Sequence, residues 1–234
     1  MVFGALLVVD SVLSVVWREP LTALTTAATQ RHLAAQWSVL ERAKPTALEL
    51  RTLATLRSQS ERIAFLARSL QERTPPGGPV GRLRIPRLGI DFVVVKGTAA
   101  ADLRRGPGFY DGLAFPGVPG TAAIAGHRTM YEAPFRHIDR LRSGDAIDVQ
   151  MPYARFTYRV VGHEIVNPGD VGVVRRVRYD RLVLSACHPL FSAAKRWVVS
   201  ARLVSVVPTY RFGGLPPGLQ QPSMTSQQLR SGVR

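Results

Sequence analysis

A single change of hydrophobic period divides this chain and constrains its fold more than any other feature. Before residue 74 the apolar positions recur every three or four residues: Leu33, Trp37 and Leu40, then, after Pro45, Leu53, Leu56, Ile63, Leu66 and Leu70. That spacing gathers them on one helical face, and Pro45 separates two helices because its ring removes a donor and clashes with the preceding turn. Beyond residue 81 the apolar positions alternate. Leu83 and Ile85 alternate with Arg82 and Arg84; Phe156, Tyr158 and Val160 alternate with Arg155, Thr157 and Arg159; Leu182 and Leu184 precede Ser185 and Cys187. A period of two marks strands with one buried face. Further strand-like runs lie at 90–95, 121–125, 146–151 and 197–207, with Gly, Pro and Asp clusters between them and one short helix expected over 134–141. Seven or eight short strands in succession predict a mainly β chain closed, or nearly closed, into a barrel. The expected organisation is a membrane anchor at 1–17, a helical spacer or stalk at 18–73, a linker at 74–81 (TPPGGPVG), the barrel at 82–207, and a disordered tail rich in Gly, Pro, Gln and Ser at 208–234.

The anchor is read from residues 2–17, VFGALLVVDSVLSVVW, an apolar run interrupted by Asp10 and two serines. It falls short of the roughly 20 residues that span a bilayer. A signal peptide, a membrane anchor and a buried helix compete for it. No basic region and no small-x-small cleavage site precede Trp17, which disfavours the signal peptide. An uncleaved anchor with Trp17 at the interface fits better, and the missing basic residues point to a true start further upstream. Asp10 opposes this reading, since a carboxylate at the bilayer centre costs about 2.5–3.5 kcal/mol on insertion scales.

Thirty-one basic side chains face sixteen acidic ones, leaving +15, and only Lys44, Lys96 and Lys195 are lysines. Such a chain prefers anionic surroundings. The arginines are scattered and not gathered on one aromatic-lined face, so no nucleic-acid partner is expected. The single cysteine, Cys187, excludes an intramolecular disulfide and any zinc site of several thiolates, and no metal or cofactor is expected.

Most lone cysteines are buried and inert. Cys187, however, ends an apolar strand in LVLSACHP, where Pro189 stops the ladder, and this places the thiol at a rim. A reactive thiol needs a base or cation beside it. His188 points to the opposite face of an extended strand, His32 belongs to the spacer, His163 lies in mid-strand and His137 in the short helix. His127, in IAGHRT, stands just past the apolar run 122–125 and so at another strand end. Arg196 opens the last strand, close enough in sequence for a short loop to return it beside Cys187, and a fixed cation there would stabilise an oxyanion.

At these residues the chain resembles the sortases, membrane-anchored cysteine transpeptidases of mainly Gram-positive bacteria. AGHRT around His127, LSACHPLFSAAKR around Cys187 and Arg196, and the preceding GPGFYDGLAFPG carry the resemblance, which runs from about residue 82 to 207 and is nearest to the class E sortases of actinobacteria and their relatives. The resemblance implies a sortase-type barrel with Cys187 as nucleophile, His127 as general acid/base and Arg196 as oxyanion or substrate-positioning cation. It implies that the reactive pair, thiolate with imidazolium, is a minority protonation state. It adds Tyr110, Ser185 and Ala186 as substrate-binding positions. Ala186 departs from the family, which usually has threonine before the nucleophile. The implied reaction cleaves a C-terminal Leu-Ala-x-Thr-Gly or Leu-Pro-x-Thr-Gly motif of a secreted protein between Thr and Gly. The acyl chain then passes from a Cys187 thioester to an amine of a cell-wall precursor or pilin. The implied setting is the cell membrane, with one pass and the catalytic domain outside. A thiol peptidase using water, and a catalytically weakened scaffold suggested by Ala186, are the alternatives.

Overall fold

In the computed structural model, residues 20–210 are described; the anchor expected at 1–17 and the tail beyond Tyr210 lie outside them. Among the described residues no helix is long and apolar enough to cross a membrane.

Among the described residues three helices precede the barrel: α1 (Pro20–Arg42), α2 (Ala47–Thr55) and α3 (Gln59–Arg73). The break at Pro45 was expected; the one before α3 was not. Both later helices start at a capping box, in which a hydroxyl accepts the N3 amide while the N3 carboxylate accepts the cap amide. Thr46 and Glu49 form one, Ser58 and Glu61 the other. The Ser58-x-x-Glu61 spacing is thus the local reason that the long apolar stripe is two helices.

The helical segment is not a free stalk. Leu33 and Trp37 of α1 are buried against Val93 and Val95, where full burial of a leucine-sized chain contributes roughly 2 kcal/mol. Gln30 Nε2 donates to the Val93 carbonyl at 3.2 Å and the Arg105 carbonyl at 2.7 Å, and its Oε1 accepts from the Val93 amide at 3.0 Å. α3 buries Ile63, Ala64, Leu66, Ala67 and Leu70. Lys96 Nζ donates to the Gln71 and Thr74 carbonyls at the end of α3. The segment expected as a linker is also engaged: the Gly77 amide donates to the Lys96 carbonyl at 2.7 Å, and the first strand already begins at Pro79.

Eight strands follow: β1 (Pro79–Ile85), β2 (Ile90–Lys96), β3 (Gly108–Phe109), β4 (Thr121–Ala125), β5 (Ala146–Gln150), β6 (Ala154–Val166), β7 (Arg181–His188) and β8 (Lys195–Pro208). They close in the order β1-β2-β3-β4-β7-β8-β6-β5, so the expected closed barrel is present. The alternation seen in the sequence is the inward face: Leu83, Ile85, Phe156, Tyr158, Leu182 and Leu184 all lie in the core. β3 was not foreseen, because two residues cannot show a period. The helix expected at 134–141 is a loop ending in a 3-10 turn, Ile138–Arg140; Phe135, Ile138 and Leu141 are buried at the three-residue spacing such a turn aligns. At the carboxyl end, Pro208 closes β8 and the Thr209 amide donates to the Tyr153 carbonyl, so the ordered chain reaches past the expected tail boundary.

Candidate functional site

Most neighbouring strands are antiparallel, but β4 and β7 run parallel, in register from Thr121 opposite Arg181 to Ala125 opposite Ser185. A parallel pair delivers both carboxyl ends to one rim. Two residues past the last register pair stand His127 and Cys187, and the Gly126 amide donates to the Ser185 carbonyl at 3.0 Å, carrying the pairing one step beyond β4. On the other side of β7 the antiparallel register sets Cys187 directly opposite Arg196 of β8. The three residues singled out in the sequence therefore come from three adjacent strand ends.

Gly126 is required by contact: a Cβ there would meet the Phe135 ring at 2.6 Å. That ring closes the loop after His127, and the Phe135 amide donates to the His127 carbonyl at 2.9 Å. The His127 ring is partly covered, with Nε2 buried and without a hydrogen-bond partner, and its centroid lies 5.0 Å from that of Tyr131. Burial, with the positive charge of Arg104 adding to it, pushes the imidazole below its ordinary value of 6.5. The neutral base is the favoured form.

Cys187 is half-buried and free. The Arg196 side chain, also half-buried, donates from Nη1 to the Ala193 carbonyl at 2.9 Å and the Lys195 carbonyl at 3.0 Å. Alternation puts Val183, Ser185 and Cys187 on the outer face of β7. On that face a cavity of about 290 Å³ is lined by Tyr110, Ser185, Arg196 and a largely apolar set that includes Leu113, Val171 and Val174. Tyr110 and Ser185, both named from the sequence, do line it. Ala186 does not. Its side chain is 3% exposed and points into the barrel core, so the substitution of alanine at this position acts on core packing and leaves the groove surface untouched.

His32 is exposed on α1 beside Gln36, and His137 precedes the 3-10 turn. His163 and His188 flank Trp197, at ring distances of 4.7 and 5.4 Å. Among the described residues no group of three His, Cys, Asp or Glu side chains is placed to hold a metal ion.

Sequence reasoning missed Arg128. Its side chain is 4% exposed, and Nη1 donates to the Cys187 carbonyl at 3.4 Å while Nη2 meets Asp139 at 2.9 Å. Nothing in HRT separates a buried arginine from a solvated one. Tyr131 was missed as well. It opens a run of three left-handed non-glycine residues, Tyr131, Glu132 and Ala133, with φ of 51, 58 and 43°. Such conformations cost of order 1–3 kcal/mol each and collect at functional sites.

Comparison with known proteins adds the following. The family model for the sortase domain matches residues 83–204. Sortase D of Bacillus subtilis (strain 168) is 30% identical over 133 residues, covering 55% of this chain and 66% of that protein. Sortase SrtE1 of Streptomyces coelicolor is 32% identical over 162 residues, covering 62% of this chain and 45% of that protein. The chain therefore spans less than two thirds of either relative's length. The solved structure of sortase E1 from Streptomyces coelicolor, with a tripeptide in its active site, superposes with a TM-score of 0.54 at 27% identity, covering 63% of this chain and 99% of that one.

Proposed function

The chain belongs to the sortase family, and we propose that it is a cysteine transpeptidase that cleaves a C-terminal sorting motif of the Leu-Ala/Pro-x-Thr-Gly type between Thr and Gly. One observation carries this reading: the parallel β4–β7 register and the antiparallel β7–β8 register bring His127, Cys187 and Arg196 to one rim, at the end of an apolar groove.

The steps follow from the residues. The motif lies along the outer face of β7 and β8, with its leucine among Leu113, Val171 and Val174 and its backbone passing Ser185 and Tyr110. Proton transfer from Cys187 to His127 gives a thiolate and an imidazolium. The thiolate attacks the threonine carbonyl carbon, and the carbonyl electron pair moves onto oxygen. Both recorded Arg196 bonds leave from Nη1, so Nε and Nη2 remain to meet that oxyanion. The imidazolium then gives its proton to the glycine nitrogen as the C–N bond breaks, leaving a thioester. Because burial disfavours the charged imidazole, His127 is an able proton donor once charged. An amine attacks the thioester, and His127 accepts its proton while Cys187 leaves.

The acceptor is an amine of a cell-wall precursor or pilin, and residues 1–17 anchor the protein as a single pass with the barrel outside the cell. The apolar run at 2–17 and the basic excess support that setting. The test is mass spectrometry of the protein after incubation with a panel of sorting peptides. An acyl adduct on Cys187, absent from Cys187→Ala and formed far more slowly in His127→Ala, is expected. Added amine should divert product from acid to amide; failure to find any adduct would sink the proposal, and acid alone at saturating amine would make the protein a peptidase.

A further inference from the structure

We propose that Arg128, held by Asp139, is a positioning residue that sets the geometry of the Cys187–His127 pair. The inference rests on the transpeptidase reading of those two residues and adds a residue that neither the sequence pattern nor the reaction steps required.

Arg128 is among the few buried charged side chains of the described residues, and a guanidinium is not taken out of water without partners. Its partners are informative. Nη1 donates to the Cys187 carbonyl at 3.4 Å and approaches His188 Nδ1 at 3.3 Å; Nη2 donates to the Arg136 carbonyl at 3.4 Å and to Asp139 Oδ1 at 2.9 Å. One planar fork thus ties three pieces of chain: the end of β7, the loop after His127 and the 3-10 turn. Being next in sequence to His127, Arg128 cannot move without moving it. Lysine could not replace Arg128, because a single ammonium lacks the fork that reaches carbonyl and carboxylate together.

The test is the rate of Cys187 alkylation by iodoacetamide at one pH near neutrality, which needs no sorting peptide, measured beside steady-state kinetics and thermal unfolding. In Arg128→Gln kcat is expected to fall by ~10²-fold at nearly unchanged KM, the scale of a misplaced catalytic pair, and the alkylation rate to fall with it because His127 no longer meets the thiol proton. Arg128→Lys should restore little of either. Asp139→Asn should lower both by less; Asp139 is 42% exposed, so this variant carries the test if Arg128→Gln does not fold. An alkylation rate and kcat equal to wild type in folded Arg128→Gln, or in Asp139→Asn where only that variant folds, overturn the inference. So does a fall in melting temperature with unchanged kcat. If the wild-type protein forms no acyl adduct with any peptide, the transpeptidase reading fails, and the alkylation rates still decide whether Arg128 positions the thiol and imidazole.

Discussion

The helix-covered flank of the barrel and its open rim are built to different standards. On the flank, Gln30 satisfies both backbone groups of Val93, Lys96 satisfies the end of α3, and Glu49 joins a capping box to Ser69 and Arg73. At the rim the polar accounting is left open. Of the five buried side-chain N or O atoms without a partner among the described residues, four are there: His127 Nε2, Arg128 Nε, Arg136 Nη1 and Trp197 Nε1. Among the described residues, all four non-glycine residues with positive φ, Tyr131, Glu132, Ala133 and Phe191, lie in the loops that follow His127 and Cys187. Unsatisfied donors and strained backbone lower stability, so they persist where something other than stability selects them. The difference teaches that the flank holds the barrel and the rim is what the barrel holds.

The largest expected effect tests the rim. His127→Ala should lower the rate of acyl-adduct formation by ~10²–10⁴-fold, the range for losing a general acid/base, with little change in melting temperature. Trp37→Ala on the flank should do the reverse, costing about 3–5 kcal/mol in chemical denaturation while kcat per folded molecule stays unchanged; a matching fall in kcat would break the division between the two regions. Arg196→Ala should reduce kcat by ~10²–10³-fold, as for removal of one oxyanion donor, with Lys restoring only part.

The smallest effects lie in the pH dependence of stability. Burial alone would raise the Glu49 carboxyl, but hydrogen bonds from Ser69 and the Thr46 backbone, with the charge of Arg73, bring it below its ordinary value. Its contribution is therefore present above that value and lost as pH falls through the lowered one. Glu49→Gln should cost about 1 kcal/mol near neutrality and nothing in acid. His127 works in the opposite sense: its imidazole is lowered, so the unfolded chain takes the proton first and stability falls as pH drops below 6.5. His127→Gln should flatten that part of the denaturation profile, and an unchanged slope would mean that the ring is solvated.

The barrel was legible because alternation reports burial on one face, and residues such as Leu83, Phe156 and Leu184 have only one way to bury together. The docking of α1 was not, since Leu33, Trp37 and Leu40 show an apolar stripe without showing what covers it. A signal did exist: Val93, Val94 and Val95 are all buried, and such an unbroken run in β2 marks a strand covered on both faces. His127 and Cys187 could be found as strand ends because apolar residues give way there to Gly126 and Pro189, and Arg196 because it opens the last apolar run. Arg128 could not. Its place depends on Asp139 and on the Cys187 carbonyl, neither of which leaves a local trace in the sequence. Ala186 was drawn toward the site by its neighbour, whereas strand parity sends it into the core.

The parallel pairing of β4 with β7 has a temporal consequence. His127 and Cys187 are far apart along the chain, with β5 and β6 made between them, so a chain emerging from synthesis does not hold the two side by side until the barrel closes. Long-range pairing of this kind forms slowly and late. Under the proposed mechanism the pair is therefore assembled by folding itself, and acyl-adduct formation at Cys187 becomes a clock for barrel closure.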